Sequence, residues 1–232
     1  MIEMIRRYVR QKYGSAGLVG ALIVFAIIEI SAFGTGGGRG GFVVVHWAIF
    51  VLAAGSISRD ISSGALQMIL SRPIRRSEYL FGRYLGILAS YALFLVLTSA
   101  LIFLVAHLAA RSAAADASPG RLALLAADTF LTGAFQAAIL LMFSTFLPGI
   151  ADLLGLLILF MVLHLPPWQK IWLRNVAEAA RENLLPAVSW NEALRGEGIL
   201  GAATGRWVFA LTVYLVLAAL IFSRRELPYG QD

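Results

Sequence analysis

The chain has 232 residues, 59% of them hydrophobic and 14% charged, with a formal net charge of +6 and no cysteine. Soluble domains run near 45–50% apolar and about 25% charged, so an ordinary soluble domain is excluded. The absence of cysteine excludes disulfides and thiolate metal sites. Long uncharged runs point instead to an all-α polytopic membrane protein, each span needing about 20 mainly apolar residues.

Residues 1–13 are expected to form an amphipathic helix, with Ile2, Ile5 and Val9 on one face and Glu3, Arg7 and Arg10 on the other. A basic amphipathic helix ahead of a span lies in the inner interface, as an anchor or as a lever. Six spans follow, at 16–33, 42–57, 84–110, 122–147, 150–165 and 207–222. The first looks like a signal peptide in its basic start and apolar body. Glu29 inside it and the lack of a small-residue cleavage pattern favour an uncleaved helix. Residues 34–41 (GTGGGRGG) lack the Lys-Ser/Thr of a phosphate-binding Walker loop and read as an outer turn.

Between the second and third spans lies a polar island, residues 56–86, too charged for lipid. Ile61, Ala65, Met68 and Ile69 are spaced as one face of a helix over 60–71. Ser71-Arg72-Pro73 stops it, because proline restricts the preceding residue and offers no N–H. As one helix, 122–165 would be about 66 Å long, twice the hydrocarbon core of about 30 Å. Pro148-Gly149 therefore reads as a turn between two spans. In the outer segment 166–206, Trp168, Trp172, Val176 and Ala180 repeat every four residues, and Arg174–Glu178 is an i, i+4 pair. Gly82–Gly86 and Gly201–Gly205 have the G-x-x-x-G spacing that lets helix backbones approach closely.

Orientation follows from the basic residues. With the N-terminus inside, eleven of nineteen (Arg6, Arg7, Arg10, Lys12, Arg59, Arg72, Arg75, Arg76, Arg83, Arg224 and Arg225) fall on inner segments, as the positive-inside rule expects. Trp47, Trp168, Trp172, Trp190 and Trp207 fall on the outer side. Both termini are thus expected in the cytoplasm. The positive charge suits anionic inner-leaflet lipid and not nucleic acid, because the arginines hug the span ends.

Ionisable groups inside a membrane are functional hypotheses by default. Glu29, His46, His107, Asp128 and His164 map to outer span ends. They form either a candidate outer polar pathway, a proton or metal-ion site, or five separately satisfied interfacial groups. Asp152 begins the fifth span, where an acid is favoured by the helix N-terminus. No H-E-x-x-H zinc helix and no G-x-S-x-G elbow occurs, so no catalytic residue, metal or cofactor is assigned to this chain.

The island also carries a family pattern. Arg59-Asp60, Ser63-Gly64-Ala65-Leu66, Leu70-Ser71-Arg72-Pro73, Arg76-Ser77-Glu78-Tyr79-Leu80 and Gly82-Arg83 resemble the permease subunits of type-2 ABC exporters. Arg75 stands where serine is usual in that pattern. The ending Phe222-Ser223-Arg224-Arg225-Glu226-Leu227 resembles the family's close after its sixth span.

The resemblance implies a single transmembrane domain over 1–232, with residues 58–80 as a cytoplasmic coupling segment and residues 1–13 as a second contact. A separate cytoplasmic ABC ATPase, carrying ATP and Mg, would dock on Arg59, Asp60, Gly64, Leu66, Leu70, Ser71, Arg72 and Pro73. A second permease copy or a related permease would complete the path, in the inner (plasma) membrane of a prokaryote. Two other readings are an ion-coupled secondary transporter using Glu29 and Asp128, and a non-transporting scaffold or sensor. The first is opposed by the lack of an inverted repeat or paired broken helices.

Overall fold

Apolar runs with no proline beyond their first residue give four helices long enough to cross a bilayer. The computed structural model of the chain describes residues 2–34, 42, 44–62, 64, 66, 74–108, 117–147, 151–164, 178–179, 182–186, 188, 190 and 201–224. Among the described residues there is no strand. In order come α1 (Ile2–Tyr13), α2 (Ala16–Gly34), a 3-10 turn (Val45–Trp47), α3 (Ala48–Ala53) and α4 (Ser58–Ser62). Then follow α5 (Arg76–Leu108), α6 (Pro119–Ser144), α7 (Ala151–His164) and α8 (Ala202–Arg224). The long apolar helices are α2, α5, α6 and α8. The all-α membrane class expected from composition is what the chain adopts.

Three elements differ from expectation. The stretch 42–57 is not one continuous helix: its described helical part is the 3-10 turn and the 6 residues of α3, about 15 Å of rise. Beyond it Gly55 takes φ +63, a left-handed conformation that glycine adopts without a Cβ penalty. Second, α5 has 33 residues and starts at Arg76 instead of Tyr84. At about 50 Å it outruns the hydrocarbon core, so the end of the polar island is a rigid extension of the third span. The Arg75 N–H donates to the Glu78 carboxylate at 3.4 Å, the back-reaching half of a capping box. Third, α7 has 14 residues, about 21 Å; the Pro148-Gly149 turn lies outside the described residues.

The chain divides into two compact units. In the first (Met1–Ala53 with Gly82–Ala137), α2 buries Leu22, Ala26, Glu29 and Phe33 on one stripe and exposes Ile23, Val24, Ile27 and Ile28 on another. The exposed stripe is what a bilayer solvates. Helix α1 is clamped by Tyr8, whose hydroxyl donates to the Leu52 carbonyl at 2.7 Å. The Tyr8 ring occupies the space over Gly86, where an added Cβ would stand 2.9 Å from it. The first G-x-x-x-G thus serves packing within the subunit, whereas Gly205 of the second faces open space. The face of α1 held by protein carries Tyr8 and Lys12, and the expected apolar face is left outside, Ile2 being 83% exposed.

In the second unit (Ala54–Phe81 with Ala138–Asp232), α8 buries Trp207, Ala210, Tyr214, Ala218 and Phe222, the spacing of one helical face. Trp190 meets Trp207 edge-on at 4.9 Å, and the Tyr214 hydroxyl donates to the Leu184 carbonyl at 3.0 Å. Arg206 and Glu182 pair at 2.6 Å. The tryptophan repeat expected from Trp168 to Ala180 lies outside the described residues.

Candidate functional site

The polar island begins as a turn whose backbone donors are captured by side chains from two other helices. The Gly55 N–H donates to Asp152 Oδ2 at 2.7 Å. The Ile57 and Ser58 N–H groups donate to Ser144 Oγ at 3.1 and 3.2 Å. These N–H groups open α4 and have no partner within it, the usual state of a helix start. The other oxygen of Asp152 takes the Leu153 N–H at 2.9 Å. Asp152 and Ser144 are both fully buried. One carboxylate therefore caps its own helix, α7, and pins the start of the island. The serine at the end of α6 completes the node, its oxygen accepting two N–H groups.

The other half of the site joins the island to α5 and α8. Asp60 on α4 is buried and accepts the hydroxyl of Tyr79 on α5. The Tyr79 ring stacks on Phe222 of α8, with centroids 5.8 Å apart. Arg76 donates through Nη1 to the carbonyls of Phe222 and Ser223 at 3.3 and 3.0 Å. Those carbonyls end α8 without an intrahelical donor, and a cation there also complements the helix dipole. The segment 54–81 is thus tied to α6 and α7 at its start, and to α8 at its end, where it continues into α5. These contacts join the described parts of the segment to three helices by directional hydrogen bonds and one ring stack.

The sequence-derived coupling residues divide accordingly. Arg59 is exposed and Asp60 buried on α4, and Leu66 is buried. The expected 60–71 helix is interrupted: α4 closes at Ser62 and Gly64 takes φ +69, which terminates a right-handed helix. Leu70, Ser71, Arg72 and Pro73 lie outside the described residues. Sequence reasoning missed Ser144 and undervalued Asp152, assigning it only to its own helix end. Arg76, Tyr79 and Phe222 stood inside the quoted family pattern, which was the available signal.

Three of the outer ionisable groups have recorded contacts of their own. Glu29 is fully buried and accepts the Val44 and Val45 N–H groups at 2.7 and 3.0 Å, so it caps the 3-10 turn leading into α3. His46 lies beside Trp47, with ring centroids 4.9 Å apart. His107 Nδ1 is 2.9 Å from the Phe103 carbonyl one turn earlier on its own exposed helix face. Asp128 is half-buried on α6, and His164 ends α7. Among the described residues no three His, Cys, Asp or Glu side chains are grouped to hold a metal ion. Four side chains of the α5–α6 pair, Tyr91, Thr98, Ser99 and Gln136, carry a buried polar atom without a hydrogen-bond partner.

No curated protein matches the chain. The family described as ABC-2 family transporter protein matches residues 40–227, which takes in the whole island, its anchors and the last span, and the chain belongs to that family as a transporter membrane subunit.

Proposed function

We propose that this permease subunit works as an exporter driven by a separate cytoplasmic ABC ATPase that docks on residues 56–83. The observation that carries the reading is the double anchoring of this segment, through Asp152 and Ser144 at its start and through Asp60, Tyr79 and Arg76 at its end. ATP binding by the partner displaces the segment, and the anchors pass that displacement to α5, α6, α7 and α8. The step requires the docked contacts to differ in free energy between the two states of the ATPase. Arg59, exposed between two buried neighbours, is positioned to face the partner. Export as the direction rests on the likeness of the island to exporter permeases.

The assembly we propose is two permeases, identical or related, with both termini cytoplasmic in a prokaryotic inner membrane. The basic residues at inner span ends support that orientation. The test is co-purification with the ATPase. Deleting residues 60–71 is expected to abolish association while the chain still inserts in the membrane. Unchanged association would remove the segment from the docking role. Substrate-stimulated ATP hydrolysis by the purified complex separates a transporter from a scaffold.

A further inference from the structure

Helix α1 has three faces, which among the described residues are buried, part-buried and exposed in turn. At 3.6 residues per turn, Tyr8 and Lys12 share the face held against the rest of the unit, and both are buried. Ile5, Val9 and Ile2 form the next face, with Ile2 83% exposed. Arg6, Arg10 and Arg7 form the third and are exposed. An apolar flank running beside a row of arginines is the pattern of a helix lying at the boundary between headgroups and acyl chains.

The cations converge around one ring. Lys12 and Arg83 lie 5.4 and 5.1 Å from the centre of the Tyr8 ring, and Arg7 is near enough to Arg83 to repel it. Arg83 belongs to α5, where it immediately precedes the apolar part of the third span. Arg6, Arg7 and Arg10 are exposed on α1, whose one carboxylate is that of Glu3. Positive charge of this density suits an anionic surface, and the apolar flank next to it suits lipid.

We infer that the exposed faces of α1 are a seat for anionic phospholipid headgroups, and that Tyr8 couples its occupancy to the third span. The coupling is steric and polar. The Tyr8 side chain fills the space over Gly86 of α5, its hydroxyl holds the Leu52 carbonyl of α3, and the Tyr13 hydroxyl holds the Ser90 carbonyl of α5 at 2.9 Å. A headgroup that fixes α1 thereby fixes the inner part of α5. This inference is independent of whether an ATPase docks on residues 56–83.

The test is amide hydrogen exchange on the full-length permease in nanodiscs of phosphatidylcholine alone or mixed with phosphatidylglycerol. Each basic residue near an anionic surface contributes about a fivefold preference. Exchange across 2–13 is therefore expected to slow about tenfold or more in the anionic discs, with slowing also at 82–90. The triple variant Arg6→Gln, Arg7→Gln, Arg10→Gln is expected to lose the lipid dependence. Tyr8→Ala is expected to keep it in α1 and lose it at 82–90.

Should the triple variant insert poorly, salt serves on the wild type. The lipid difference must shrink as ionic strength rises, because the screening length is about 10 Å at 0.1 M. Phosphatidylserine must substitute for phosphatidylglycerol, and soluble glycerol phosphate must not. Equal exchange in both lipids, or a difference indifferent to salt, overturns the inference. So does slowing that appears only on adding the ATPase, which would make this face a protein contact.

Discussion

Replacing Asp152 with alanine isolates the node at the start of the island. The change removes the acceptor for the Gly55 N–H and the Leu153 N–H together. A buried donor left unpaired costs about 1–3 kcal/mol. Relief of the carboxylate's own burial offsets part of the sum. The net loss is then about 3 kcal/mol, the lower end of the range for removing one partner of a buried charged contact. At 1.36 kcal/mol per decade this opens the 55–58 turn about a hundredfold more often. Amide exchange at Gly55, Ile57 and Ser58 in the purified permease reads that quantity directly.

The functional consequence is separable from folding. With the turn loosened, the ATPase of the proposed assembly is expected to stay bound, since exposed Arg59 is untouched, while substrate stimulation of ATP hydrolysis falls. Asp152→Asn keeps one acceptor oxygen and replaces the other with a donor, so it should give an intermediate acceleration of exchange. Unaltered protection at Gly55 in Asp152→Ala would show that the turn is held by packing alone. The transmission role of Asp152 would fall with it.

Gly86→Ala places a methyl 2.9 Å from the Tyr8 side chain; overpacking of this kind costs about 1–3 kcal/mol, to be read as a lowered thermal midpoint and faster exchange in α1. Thr98→Val removes a buried hydroxyl with no partner, so it should leave the thermal midpoint unchanged or raise it, unlike Thr129→Val, whose hydroxyl donates to the Leu125 carbonyl at 2.7 Å. Glu29→Gln can keep its amide oxygen on both N–H groups, which share one carboxylate oxygen, and should lower stability by about 1 kcal/mol through loss of the charge assistance. Because Glu29 is a cap, the same variant should leave the dependence of transport on an ion gradient unchanged. Loss of gradient-driven uptake with stability intact would favour the secondary-transporter reading.

Periodicity and charge made the helical class and the long spans legible, because both depend on residues near one another in the chain. The extension of α5 back to Arg76 was hidden by its charges, which fit a helix projecting beyond lipid as well as they fit a loop. The shortness of α3 was hidden for the opposite reason. Residues 42–57 are apolar enough for a span, but Glu29 and Asp152 capture the backbone N–H groups on either side of α3. Neither acid is near that stretch in sequence, the separations being 16 and 97 residues. Likewise Gly64 sits within a helical pattern, and only its φ of +69 shows that α4 has already ended. The anchors of the island pair residues up to 147 apart, and no local pattern encodes such a pairing.

The chemistry of those anchors explains why they suit transmission. Between apolar helices in lipid there is no hydrophobic drive to hold one register, since acyl chains are as apolar as leucine. Packed aliphatic faces can slide at small cost. The Gly55 N–H, by contrast, is buried against a carboxylate, and a bilayer offers no replacement acceptor. The terminal carbonyls of α8 are held by Arg76 at a more exposed position. A displacement at the start of the segment must therefore carry Asp152 along or break a buried bond that lipid does not replace. Directional hydrogen bonds at both ends of the segment are what the proposed transmission would use, and the left-handed glycines at 55 and 64 mark where the described backbone departs from helix.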